Sequence, residues 1–196
     1  MRLMNVAIAS LVTVMAGATY AQDWIGFTER TERFFVNFPS QPKVETFPYE
    51  SEYGFTVSGK KYTATRGEAV YSVTVINFAT SPEFNDLKGA VAFAAHKMRT
   101  AHTTGKITFD AYAHIDKIDG IQIQVTEADG RRFFGAINMH MQDKRLYILE
   151  ATVPRGAPPP AAFQVSLQIL DEQGNVIRYQ DDGVTRARGA TPAGGG

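Results

Sequence analysis

Four histidines, His96, His102, His114 and His140, are where metal or acid–base chemistry would rest in this chain. No two are spaced as His-x-His or His-Glu-x-x-His, the patterns that bring two imidazoles to one metal. His96 and His102 lie six apart in a helical stretch, so at roughly 100° per residue they point well away from each other. His114 and His140 are predicted on the polar face of a sheet, on strands that are second neighbours, roughly 10 Å apart. A shared metal would need a third group between them. Met139-His140-Met141 offers thioethers and an imidazole, a set that suits reduced copper. Strand alternation, however, sends the two methionines to one face and the histidine to the other, so core methionines are the better reading. No Gly-x-Ser-x-Gly elbow marks a nucleophilic serine. Asp110, Asp116 and Asp119 are spaced like turn and surface residues, and a glycosidase-type carboxylate pair would have to be assembled by the fold. Arg131-Arg132 and Lys144-Arg145 fall at opposite ends of one predicted strand and do not form one basic patch. No catalytic, cofactor-binding or metal-binding residue is assigned, and no cofactor is expected.

Composition narrows the classes further. The 196 residues contain 20 basic and 20 acidic side chains and no cysteine. Balanced charge argues against a nucleic-acid partner, which calls for a basic face. The missing cysteine removes thiol catalysis, disulfides and a lipid-bearing N-terminal cysteine together. At the N-terminus, Arg2 precedes an uncharged, mostly apolar stretch over residues 6–18, and small residues follow up to Ala21. This is the three-part pattern of a secretory signal, too short to span a bilayer at about 20 residues. Cleavage is expected after Ala21, with Ala18 as the alternative, which places the mature chain in the periplasm or the medium. No other stretch is apolar and long enough to span a membrane. Residues 22–183 are expected to form one domain, and the Gly-, Ala- and Pro-rich residues 184–196 a disordered tail.

The elements that would position any site are mostly strands. Phe34-Phe35-Val36-Asn37-Phe38 reads as a strand stopped by Pro39 and Pro42. Residues 60–66 and 69–78 read as a hairpin turning at Gly67-Glu68. Ser81-Pro82-Glu83 signals a helix start. A stripe of Leu87, Val91, Ala94, Met98 and Ala101 then predicts a long helix over about 83–103, stopped near Gly105. Alternating runs predict an antiparallel meander with one covered face over residues 107–142, completed by a strand over 145–153. Two three-residue loops are predicted by matching apolar faces. Ala128-Asp129-Gly130 would pair Val125 with Phe133 and Ile121 with Ile137. Ile118-Asp119-Gly120 would pair Ile115 with Ile123. In each, glycine supplies the left-handed position. After Pro158-Pro159-Pro160, residues 161–170 alternate like a strand yet also fit a helix; the preceding prolines favour a second helix over about 159–170. A short strand over 176–179 follows. The expected fold is α+β: one antiparallel, strongly twisted sheet of about seven to nine strands with two helices on one face.

Four segments carry a resemblance: "FFVNFPSQP" over 34–42, "YTATRGEAVYSVTV" over 62–75, "RLYILEATVP" over 145–154 and "AAFQVSLQILDEQGNVIRY" over 161–179. In their order and spacing the chain resembles small exported bacterial proteins of unknown function with a PsbP-like α+β fold, across nearly all of the mature chain. The signatures are core-forming, and no catalytic motif or site residue comes with them. The resemblance implies a binding or assembly module. Three functional readings follow, in this order. The first is a non-enzymatic exported module that binds an envelope or extracellular protein, or a small apolar ligand between helix and sheet. The second is an enzyme of an unrecognised type, with a site on the polar sheet face. The third is a structural envelope component.

Overall fold

The computed structural model describes residues 24–81, 84–115 and 118–178. The expected export segment 1–21, the tail 184–196, Pro82, Glu83, Asp116 and Tyr179 lie outside them. The strands are β1 (Ile25–Glu29), β2 (Phe34–Phe38), β3 (Lys43–Glu50), β4 (Thr56–Arg66), β5 (Ala69–Asn77), β6 (Lys106–Ile115), β7 (Ile118–Thr126), β8 (Arg132–His140), β9 (Arg145–Val153) and β10 (Gln168–Ile169). Among the described residues two α-helices, α1 (Leu87–Ala101) and α2 (Ala161–Gln164), accompany them.

The expected α+β class with a single antiparallel sheet is corrected on two counts. Strand dominates, so the architecture is mostly β with one long helix. There are also two antiparallel sheets. Seven strands run in the order β3-β4-β5-β9-β8-β7-β6, and β1-β2-β10 form a small second sheet. The reason lies in the alternation of β8 and β9. Phe134, Ala136, Tyr147, Leu149 and Ala151 are buried against Phe34, Val36, Phe38 and Phe163 from the small sheet and α2. Phe133, Ile137, Met139 and Leu146 are buried against α1. Both faces of the large sheet are therefore covered, α1 on one and the small sheet with α2 on the other, where the sequence predicts one covered face carrying both helices.

Helix α1 begins later than expected. Asp86, not Ser81, is its cap, and its side chain accepts the Gly89 N–H at 2.8 Å. The face that goes inward is Ala90, Ala94, Ala95 and Met98. These small side chains let the helix lie close to β7 and β8. Gly135 of β8 leaves the space that Met98 fills, since a Cβ there would lie 2.2 Å from Sδ. The second helix is corrected from 159–170 to the single turn of α2; Phe163 seals the core, and the chain then straightens into β10 beside β2. Here the strand alternation prevails over the proline signal. Among the described residues no helix is long and apolar enough to cross a membrane.

One predicted loop stands and one is corrected. Val125 faces Phe133 and Ile121 faces Ile137, with Gly130 left-handed at φ 85° and the Glu127 N–H bonded to the Arg131 carbonyl at 2.9 Å. In the preceding hairpin Ile115 faces Ile118, and Asp110 faces Ile123. Asp119 and Gly120 thus lie inside β7 rather than in a turn. Gly120 is needed for a close approach: a Cβ would lie 2.2 Å from the Ile137 carbonyl oxygen of β8.

Candidate functional site

The predicted chemistry-bearing residues are dispersed. His96 is exposed, and His102 ends α1, contacting Glu127 through Nδ1 and stacking on Phe133 with ring centres 3.9 Å apart. The corrected register separates His114 and His140. His114 faces Asp119 on the α1 side of the sheet, whereas His140 faces Arg145 on the small-sheet side and is wholly buried. Met139 is a core residue and Met141 is 38% exposed, so only one of the two methionines behaves as expected. Asp110 holds Arg99 with two hydrogen bonds of 2.7 and 2.8 Å. Arg131 is paired with Asp129, while Arg132 donates to the Ala157 carbonyl.

His140 belongs to an ionic clasp that the sequence does not announce. Its Nδ1 lies 2.9 Å from Asp143 Oδ2, and Asp143 Oδ1 lies 2.8 Å from Arg33. Arg33 also reaches Glu172 at 2.8 Å. Next to them Glu32, almost fully buried, meets Lys60 at 2.6 Å, and the Tyr147 hydroxyl donates to the Glu32 carbonyl at 2.9 Å. The turn between β1 and β2 is thereby fastened to the turn between β8 and β9. Arg33 and Lys144 take left-handed backbone (φ 59° and 48°), a cost of roughly 1–2 kcal/mol each that the surrounding contacts must offset. A fully buried imidazole offers no face to a substrate, so the clasp is read as structural.

A groove at the N-terminal end of α1 is open instead. It forms between the loop joining β3 to β4 and the segment entering α1, with a volume of about 660 Å³, within the range of small-molecule sites. Its walls are Tyr53, Phe55 and Phe84, with Thr56 and Ser81 at the rim. Gly54, left-handed at φ 77°, turns the loop so that Tyr53 stands 62% exposed at the mouth. Phe84 is the pivot of the aromatic group: its ring centre lies 4.5 Å from Phe78, 5.3 Å from Phe55 and 6.2 Å from Tyr53. Lys144 braces the far side, donating to the Phe84 carbonyl at 2.9 Å and to Asn85 Oδ1 at 3.0 Å.

Two carboxylates meet beside Phe84. Asp86 Oδ2 accepts from the Tyr53 hydroxyl at 2.7 Å. Hydrogen bonds from Tyr53 and from the Gly89 N–H hold its carboxyl below the ordinary value. Glu52 stands across Gly89 from it, and burial, reinforced by the charge of Asp86, pushes the Glu52 carboxyl up. A Cβ on Gly89 would lie 2.3 Å from Asp86 Oδ2 and 2.4 Å from Glu52 Oε1, so the two acids converge where only glycine leaves room. Behind Phe84 is a narrow void lined by Tyr49, Ser51, Glu52 and Ala90. Among the described residues Tyr49 Oη, Ser51 Oγ and Glu52 Oε1, buried there, find no hydrogen-bond partner. Burial, with Glu52 adding to it, pushes the Tyr49 phenol up to about 12.

Gly89 carries a test. In an ordinary helix, Gly→Ala gains about 1 kcal/mol. Gly89→Ala is expected to leave the thermal midpoint unchanged, because the new methyl must push both carboxylates aside. A midpoint several degrees higher, measured by circular dichroism, would show that the acids do not converge there.

Two lesser surfaces remain. A shallower groove between α1 and the sheet is lined by Phe47, Tyr49, Met98 and Ile148, with the Lys97 ammonium 4.4 Å above the Tyr49 ring. Edge strand β6 exposes Ile107, Phe109 and, at 91%, Tyr112. The groove residues escape sequence reading because Glu52 and Asp86 are far apart in the chain. The one local signal is Asp86 followed three residues later by Gly89, a cap with no side chain above it. No protein-family model matches this chain, and no curated protein matches it.

Proposed function

We propose that the mature chain is an exported, non-enzymatic binding module whose ligand seat is the groove between the β3–β4 loop and the start of α1. One observation carries the reading: an open cavity of small-molecule size is walled by Tyr53, Phe55 and Phe84, and directly behind the Phe84 wall lie buried oxygens that find no partner among the described residues. Interiors rarely leave such atoms unpaired. A ligand that reached them would gain hydrogen bonds the free protein lacks. The N-terminal signal pattern supports export, and the PsbP-like resemblance supports a binding or assembly role. The clasp gives the enzyme alternative little footing, since its histidine is sealed in the core.

A second reading rests on β6. Among the described residues its outer edge has no partner strand in the sheet, and its exposed apolar residues suit pairing with a strand of a protein partner. The two readings separate in one experiment. In a nitrogen–proton correlation spectrum recorded with a panel of small molecules, residues 51–56 and 84–86 are expected to shift together. Shifts confined to residues 106–115, appearing only with protein from the host envelope, would favour the β6 reading. Turnover of any panel compound would favour an enzyme.

A further inference from the structure

We propose that the groove takes a small alkylammonium compound, with its charged head against Asp86 and Glu52 and its methyl groups against Phe84, Phe55 and Tyr53. This names the ligand class of the site proposed above and rests on that reading.

Three independent features lead to a cation. The first is the pair of acids converging over Gly89. Among the described residues neither forms a salt bridge, so the negative charge at this end of the groove is not neutralised by a basic side chain. The second is the wall. Tyr53, Phe55 and Phe84 present three rings around one space, and ring faces attract cations, most strongly where water is excluded. The third is the set of buried oxygens behind Phe84. Ser51 is 4% exposed and Tyr49 6%, and neither hydroxyl has a partner among the described residues. The first two features put electron-rich atoms at the groove, and the third places more of them directly behind its Phe84 wall.

The same features favour an organic ion over a metal. Calcium takes six to eight oxygen ligands and magnesium near-octahedral oxygen geometry. Among the described residues no three His, Asp or Glu side chains gather as a metal would require. The aromatic walls would offer a hydrated metal nothing. A quaternary or tertiary ammonium is weakly hydrated, and its methyl groups carry the charge onto the rings. Among the described residues no basic side chain lines the groove, and Lys144 beside it donates to the Phe84 carbonyl and to Asn85.

The test is calorimetric titration of the purified full-length protein with choline and with its neutral isostere, in which a quaternary carbon replaces the nitrogen. Amide shifts report the place of binding. Choline is expected to bind at least about tenfold more tightly than the isostere and to shift Tyr53, Asn85 and Gly89. Glu52→Gln and Asp86→Asn are each expected to reduce choline affinity severalfold while leaving the isostere unaffected. Asparagine is itself a good helix cap, so the second variant keeps the fold. Equal affinity for the two compounds, with shifts in the groove, would overturn the ammonium class and leave the groove as a ligand site. Choline shifts outside the groove, no choline binding, or calcium ions producing the same shifts would also overturn it.

Discussion

Replacing Asp143 by alanine is expected to cost about 3–5 kcal/mol at neutral pH, because it leaves a buried charge network without its acceptor. In a chain of this size that lowers the thermal midpoint by about 10 °C or more. Asp143 joins Arg33 from the first turn to His140 at the end of β8, so its loss removes the ionic part of the clasp that links those two turns. The pH dependence has a definite sign. Burial alone would raise the Asp143 carboxyl, but hydrogen bonds and charge from His140 and Arg33 more than offset it and hold it well below the carboxylate range. A depressed folded value means the stabilisation is fully present above the unfolded value of about 4, and is lost as pH falls through the folded one. The gap between wild type and Asp143→Ala is therefore expected to be constant near neutrality and to narrow below about pH 4. Urea denaturation at a series of pH values measures it. A gap that is small at pH 7, or that widens in acid, would show that the clasp contributes little.

Gly120→Ala is expected to destabilise by about 2–3 kcal/mol, as overpacking against a fixed neighbour does. The usual expectation runs the other way, since glycine inside a strand costs about 0.5–1 kcal/mol relative to alanine. The difference is the neighbour. The nearest atom to a Cβ at this position is the Ile137 carbonyl oxygen, at 2.2 Å, with Asn138 Nδ2 at 2.4 Å. The first is backbone of the adjacent strand and can move only if β7 and β8 separate locally. Hydrogen exchange at the amides of residues 118–122 is expected to quicken in the variant. Unchanged stability would restore Gly120 to the turn that sequence reading assigned it.

The fate of those two Asp-Gly steps shows what sequence can and cannot carry here. Around Asp129-Gly130 both flanking strands bury apolar residues on the α1 side, so a slip of one residue would break the match of Val125 with Phe133 and of Ile121 with Ile137. The register was legible for that reason. Strand β6 is an edge whose residues are mostly exposed, so its alternation constrained nothing, and the pairing starts with Ile115 facing Ile118 in place of Ile123. That slip also put His114 and His140 on opposite faces. Strands β1 and β3 were missed, the first because it is short and the second because exposed polar residues and Pro48 fill an edge position. The groove was invisible for a different reason. Its acids come from a loop and a helix cap, roles that Glu52 and Asp86 would fill in any protein, and only the fold brings them together over a glycine.

Native mass spectrometry of the protein isolated from its own host tests the groove most directly, comparing wild type with Thr56→Trp, which places an indole at the rim. The wild type is expected to carry a small-molecule adduct that Thr56→Trp has lost, with both proteins folded by circular dichroism. The same adduct on both proteins would contradict the account, because the bound molecule would then sit somewhere other than the groove.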